Sequence, residues 1–197
     1  MTFRNTPARR ARALGIAILA FALVAVAAAP ADAKRRRQFG NGGSDFSSNG
    51  TFGLGLELGS PSGLNGKYFL SQSTALNFGV GWIYDRYYYD DRDGIHLYID
   101  HLWHPFVLAR AEPFQIPFYV GIGARLWSFD DRRERFEDDS GFALGARVPL
   151  GIAFDFNNIP LDIFVQLTFV VDVLFGYRDE RAGLHLEGSV GIRYWFD

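Results

Sequence analysis

From Thr51 onward, bulky apolar residues alternate with small or charged ones. This is the period of two that puts successive side chains on opposite faces of a β-strand. The last segment shows it best: Leu184, Leu186, Val190, Ile192, Tyr194 and Phe196 share one face, with His185, Glu187, Ser189, Arg193 and Asp197 opposite. Before it, Leu161, Ile163, Val165, Leu167, Phe169, Val171, Val173 and Phe175 oppose Asp162, Gln166, Thr168 and Asp172. The same contrast sets Phe142, Leu144, Val148, Leu150, Ile152, Phe154 and Phe156 against Gly145, Arg147, Gly151 and Asp155. It sets Phe114, Ile116, Phe118, Val120, Ile122 and Leu126 against Gln115, Gly121, Gly123 and Arg125. Leu76, Phe78, Val80, Trp82 and Tyr84 oppose Asn77, Gly79, Gly81 and Asp85, and Phe52, Leu54, Leu56 and Leu58 oppose Gly53, Gly55 and Glu57.

Two segments are weaker. The second, near Gly66 to Ser71, is short. The fourth, Ile95 to Leu108, alternates and then meets His101, Trp103, His104 and Pro105. Proline cannot donate to a strand ladder, so a bulge or strand end is expected there. The total is eight strands, an even number that lets both ends of a barrel lie on one side. Connections on that side are brief: Ser71 to Thr74, Ala109 to Pro113 and Asn157 to Pro160. On the other side Gly59 to Asn65 is short, whereas Asp85 to Gly94, Asp130 to Gly141 and Gly176 to Gly183 are longer and charged.

Alternation alone does not say which face is outside, and a soluble lipocalin-like barrel also alternates. Size favours one answer. An eight-stranded barrel has an interior just wide enough for side chains. It cannot hold so many Phe, Leu, Val and Trp, but it can hold Gly beside paired charges. The expectation is an apolar outer face toward lipid and a polar lumen. The lumen charges are then Glu57, Lys67, Asp100, Arg125, Arg147, Asp155, Asp162, Asp172, Glu187 and Arg193. Buried charges need partners, so cross-strand salt bridges are expected. Trp82, Tyr84, Trp127 and Phe175 at one rim, and Phe114, Phe154, Phe156, Tyr194, Trp195 and Phe196 at the other, suit two interfacial belts.

The N-terminus differs. Arg4, Arg9, Arg10 and Arg12 precede an uncharged run from Ala13 to Ala29, then Pro30 and the A-x-A box Ala31-Asp32-Ala33. This is the layout of a helical signal peptide cleaved after Ala33. A retained anchor is the alternative, since the run lies at the short edge of a membrane span. Residues 34–50, basic and then rich in Gly, Ser and Asn, read as a flexible periplasmic tail, and 51–197 as the barrel. The leader carries four of the 20 cations and one of the 22 anions, leaving a net charge of about −5. That argues against nucleic acid as a partner. The chain has no Cys, so disulfides and thiolate metal sites are excluded.

No catalytic, cofactor-binding or metal site is expected. Alternation puts His101 and His104 on opposite faces and separates His96 from His104 along one face, which disfavours a shared metal. Ser189 and His185 lie about 13 Å apart along one strand, too far for a nucleophile–base pair. No Gly-rich loop opens a helix to cradle phosphate. Tyr87, Tyr88 and Tyr89 in a long loop are a candidate surface-contact patch, or an extension of the outer aromatic belt.

The C-terminal residues Ser189, Gly191, Tyr194 and Phe196 resemble the signal read by the bacterial barrel-assembly machinery; Asp197 departs from that pattern, which usually ends on the aromatic. The region 51–197 resembles the small OmpA/OmpX-type outer-membrane barrels, and Gly59 to Tyr68 resembles a turn in a group of uncharacterised bacterial outer-membrane barrels. The resemblance implies an eight-stranded antiparallel up-and-down transmembrane β-barrel in the outer membrane of a double-membraned bacterium. It implies little about activity, since one fold hosts many functions; the expectation is a monomer with a structural or surface-interaction role, with outer-membrane lipid and the assembly machinery as partners. No peptidoglycan-binding domain is expected after the last strand. A narrow channel, a lipid-modifying enzyme and a secreted soluble barrel are the alternatives.

Overall fold

The computed structural model describes residues 46–48, 50–85, 92–130, 140–175 and 182–196. The expected leader, residues 1–33, and the patch Tyr87 to Tyr89 lie outside them. Eight strands follow one another: β1 (Phe52–Gly59), β2 (Ser62–Phe69), β3 (Thr74–Asp85), β4 (Arg92–Arg110), β5 (Phe114–Asp130), β6 (Ser140–Phe156), β7 (Leu161–Phe175) and β8 (Ala182–Phe196). Each pairs antiparallel with the next, and β8 pairs with β1 from Phe52↔Phe196 to Gly59↔Ser189, closing an up-and-down barrel. Closure gives the sheet no free edge along that seam.

The strands form because β-branched and aromatic residues fill one face of each and pack across neighbouring strands. Phe52 and Phe196 begin the seam at the near end of the barrel, where the turns 70–73, 111–113 and 157–160 also lie. Asn157 Nδ2 ties two of these turns together, donating to the carbonyls of Glu112 (2.9 Å) and Ala111 (3.2 Å). Ser60 and Pro61 turn the chain at the opposite, far end.

Three boundaries differ from the sequence reading. The second strand begins at Ser62, so the connection read as Gly59 to Asn65 is only Ser60-Pro61. Gly59 takes φ +131°, a conformation open to glycine, and the Ser62 hydroxyl bonds both its N–H and its C=O at 3.0 Å. A stretch so rich in turn-forming residues hides a strand from pattern reading. Second, β4 continues through Pro105, and the expected irregularity is a register shift against β5 between Trp103 and Phe106. Third, residues 34–50 were read as a featureless tail, yet Phe46 and Gly50 are buried against the barrel.

The wall is uneven. β1 and β2 have eight residues each, whereas β4 to β8 have 15 to 19. The ladder between β1 and β8 stops where Ser60 N–H donates to the Gly188 carbonyl (3.0 Å). Beyond it, among the described residues, the far end of β8 is laddered to β7 alone.

Candidate functional site: the barrel interior

Strand alternation turns Leu54, Leu56, Leu58, Ile122, Leu167, Leu184 and Leu186 outward, where they are exposed. The opposite face of every strand points inward. All ten charged residues assigned to the lumen from the sequence are buried there.

Five of the contacts they make among the described residues are cation–carboxylate pairs that bridge strands. Arg193 on β8 holds Asp162 on β7 through Nε–Oδ1 (2.9 Å) and Nη2–Oδ2 (3.0 Å). Arg147 on β6 donates from Nε to Asp100 Oδ1 on β4 (3.1 Å). Arg125 on β5 reaches both Asp172 on β7 and Glu187 on β8. His185 Nε2 lies 2.8 Å from Asp172 Oδ2, which completes this second cluster. Arg147 Nη1 approaches Glu187 Oε2 at 3.8 Å and connects the two groups.

Neutral polar residues extend the network. Tyr98 Oη donates to Glu57 Oε2 (2.5 Å) and accepts from Asn65 Nδ2 (2.6 Å). Asn65 Oδ1 accepts from Arg193 Nη1 (3.1 Å), and Asn77 Nδ2 donates to Asp100 (3.4 Å). Through Arg125, Glu187 and Arg147 this chain of contacts takes in all eight strands. Gln115 Nε2 donates to Asp155 (3.0 Å), and Tyr119 Oη to Gln166 (3.2 Å).

Lys67 and Glu57 depart from the expected ion pairing among the described residues. Lys67 Nζ meets no carboxylate; it lies 2.8 Å from His104 Nε2 and about 5 Å from the ring centres of Phe69 and Tyr119. Glu57 is held by hydrogen bonds from Tyr98 and Asn65 instead of by a cation. A ring face or a hydroxyl can stand in for a counter-ion where the geometry offers no closer charge.

The sequence reading missed the large rings inside the lumen. Trp127 and Trp195, assigned to the outer belts, point inward and are buried. Tyr98, Tyr119 and Phe164 join them. Each of four interior rings stands directly across the ladder from a glycine: Tyr98 from Gly79, Tyr119 from Gly151, Phe164 from Gly191 and Trp195 from Gly53. Each ring lies over its glycine, in the space where a Cβ would sit. At these four positions the ring finds room because the residue opposite has no side chain. Two arginines cap these rings: Arg193 lies 4.2 Å from the Phe164 centroid and Arg147 4.1 Å from that of Tyr98. Strict alternation already put Phe164 and Trp195 on the polar face, and that parity was the readable signal.

Histidines take four different settings. His101 lies on the outer side and meets Trp103 edge-on at 4.6 Å. His104 and His185 have the partners named above. His96 is fully buried, and neither ring nitrogen has a hydrogen-bond partner among the described residues. No three His, Asp or Glu side chains converge as a metal site among the described residues.

Outside, the near end carries an aromatic girdle. Phe106 stacks on Phe118 (5.1 Å), Phe52 on Phe196 (6.0 Å), and Tyr194 meets Phe196 edge-on (5.0 Å). Tyr194 and Phe196 of the C-terminal motif therefore face outward, while Gly191 lies inside beneath Phe164 and Ser189 faces Gly59.

No family model and no curated protein matches this chain. Among solved structures, the N-terminal β-barrel domain of Pseudomonas aeruginosa OprF is similar, at 13% identity and a TM-score of 0.46, over 73% of this chain and 93% of that domain.

Proposed function

We propose that the chain is an integral outer-membrane β-barrel with a side-chain-filled lumen, a structural or surface-interaction role and no catalytic activity. The observation that carries this reading is the inversion of faces: large apolar side chains cover the outside while Arg, Asp, Glu and Lys fill the inside. In water such an outer face would be a very large exposed apolar patch. In lipid it is the favoured arrangement, and closure satisfies the backbone without water.

The other features agree. Strands β4 to β8 exceed the roughly 9–11 tilted residues that span a bilayer core. The near-end girdle matches aromatic residues at a membrane interface. In this orientation the near end is periplasmic and the far loops are external. Tyr194 and Phe196 supply the terminal aromatics that the assembly machinery would read. The leader would direct export, and the external loops would carry any ligand or partner.

Heat-dependent mobility tests the reading. The mature chain, refolded in detergent, should migrate differently on an SDS gel before and after boiling, and should need detergent or lipid to stay soluble. A chain that is soluble without detergent and shows no shift on heating overturns it.

A further inference from the structure

Ahead of β1, Phe46 lies at the near end of the barrel. Phe46, 3% exposed, enters the barrel end and packs with Phe69, Ala75 and Trp195. Its ring stacks on His104 at 5.0 Å and 18°, and lies 5.6 Å from the Phe69 ring. Directly beneath sits the Lys67–His104 contact. The socket is assembled from three directions: Phe69 from the end of β2, His104 from the bulged part of β4, and Trp195 from the end of β8.

The attachment of this segment differs from that of the wall. Gln115 Nε2 donates to the Ser47 carbonyl (2.7 Å), and the Ser48 hydroxyl turns back to the Gly50 carbonyl (2.7 Å). Residues 46–48 belong to no strand ladder. Segments outside the strand ladders open at lower cost than laddered strands. Gly50 lets the chain pass close to Trp195, since a Cβ there would lie 2.9 Å from that residue's Cβ.

We propose that residues 46–48 are a tethered stopper: Phe46 fills an aromatic socket at the near mouth, and its withdrawal opens the Lys67–His104 compartment to solvent while the barrel stays closed. The socket is matched to a flat ring, flanked by three rings and floored by a cation, so the natural occupant is this chain's own Phe46. The inference rests on the barrel and its mouth, and stands apart from the membrane reading.

Because the chain has no cysteine, one introduced thiol reports cleanly. Ala75 is fully buried beside Phe46. The full chain carrying Ala75→Cys is treated with a water-soluble, positively charged methanethiosulfonate, and labelling is followed by mass. Combining it with Phe46→Ala should speed labelling by about tenfold or more, and Phe46→Leu should fall between. Heat-dependent gel mobility must be the same in all three chains. Should Phe46→Ala fail to fold, Phe46→Val carries the comparison by the same criterion. Equal rates with and without the Phe46 ring overturn the proposal, whether both are fast or both slow.

Discussion

Arg193 and Asp162 stand directly opposite each other in the β7–β8 ladder, and the guanidinium grips both carboxylate oxygens inside the barrel. The arginine also reaches Asn65 across the lumen, so one side chain ties β8 to both β7 and β2. Removing one partner of a buried pair strands the other charge. Arg193→Met is expected to cost about 3–5 kcal/mol, and the double change Arg193→Met with Asp162→Leu clearly less. Reversible urea unfolding in lipid vesicles measures both. A double variant as damaged as the single one would show that the pair itself, and not the orphaned carboxylate, carries the stability.

Arg125 is the hub of the second cluster, between Asp172 and Glu187. A lysine keeps the charge but cannot fork between two carboxylates. Arg125→Lys should therefore lose about 2–4 kcal/mol in the same unfolding experiment. Stability equal to the parent would mean that charge alone suffices there.

Gly79 gives Tyr98 its place. A Cβ at Gly79 would lie 2.5 Å from Tyr98 Cε1 and 2.8 Å from its hydroxyl. Gly79→Ala must displace the ring that holds Glu57, and should destabilise by about 1–3 kcal/mol. Gly188 is the control: its nearest neighbour would be 3.7 Å from an added Cβ, so Gly188→Ala should stay within about 0.5 kcal/mol of the parent. Equal effects at the two positions would contradict the ring-over-glycine packing.

His96 is buried with neither nitrogen bonded among the described residues. Replacing it with an apolar side chain removes two polar atoms that lack partners among the described residues. His96→Leu should raise stability by roughly 1–2 kcal/mol. A loss of stability would mean that the imidazole has a partner in the folded protein.

Much of this was legible in the sequence, because a barrel's faces follow from a period of two. Phe52 to Leu58 and Leu161 to Val173 reveal their strands without any long-range information. The ten lumen charges follow from the same parity. Other features depend on register. Nothing local shows that Tyr98 will face Gly79, or Phe164 face Gly191, since those pairs form between strands. Trp127 illustrates the error: at a strand end it reads as an interfacial belt residue, although its parity with Arg125 places it inside. Choice of counter-ion is also a register property, so the His104 partner of Lys67 was not readable. Phe46 escaped notice because a lone aromatic in a Gly/Ser-rich stretch has no period to give it away.

The central claim is that the alternating face of each strand meets lipid. β7 tests it best, because its burial alternates residue by residue from Asp162 to Val173. Single spin labels placed at each position from Leu161 to Phe169, in the chain reconstituted into lipid vesicles, can be read for collisions with oxygen, which concentrates in the bilayer. The account predicts a period of two, with maxima at Leu161, Ile163, Val165, Leu167 and Phe169 and minima at Asp162, Phe164, Gln166 and Thr168. Maxima at the even positions, or odd positions reached by a water-soluble nickel reagent instead of oxygen, would contradict it.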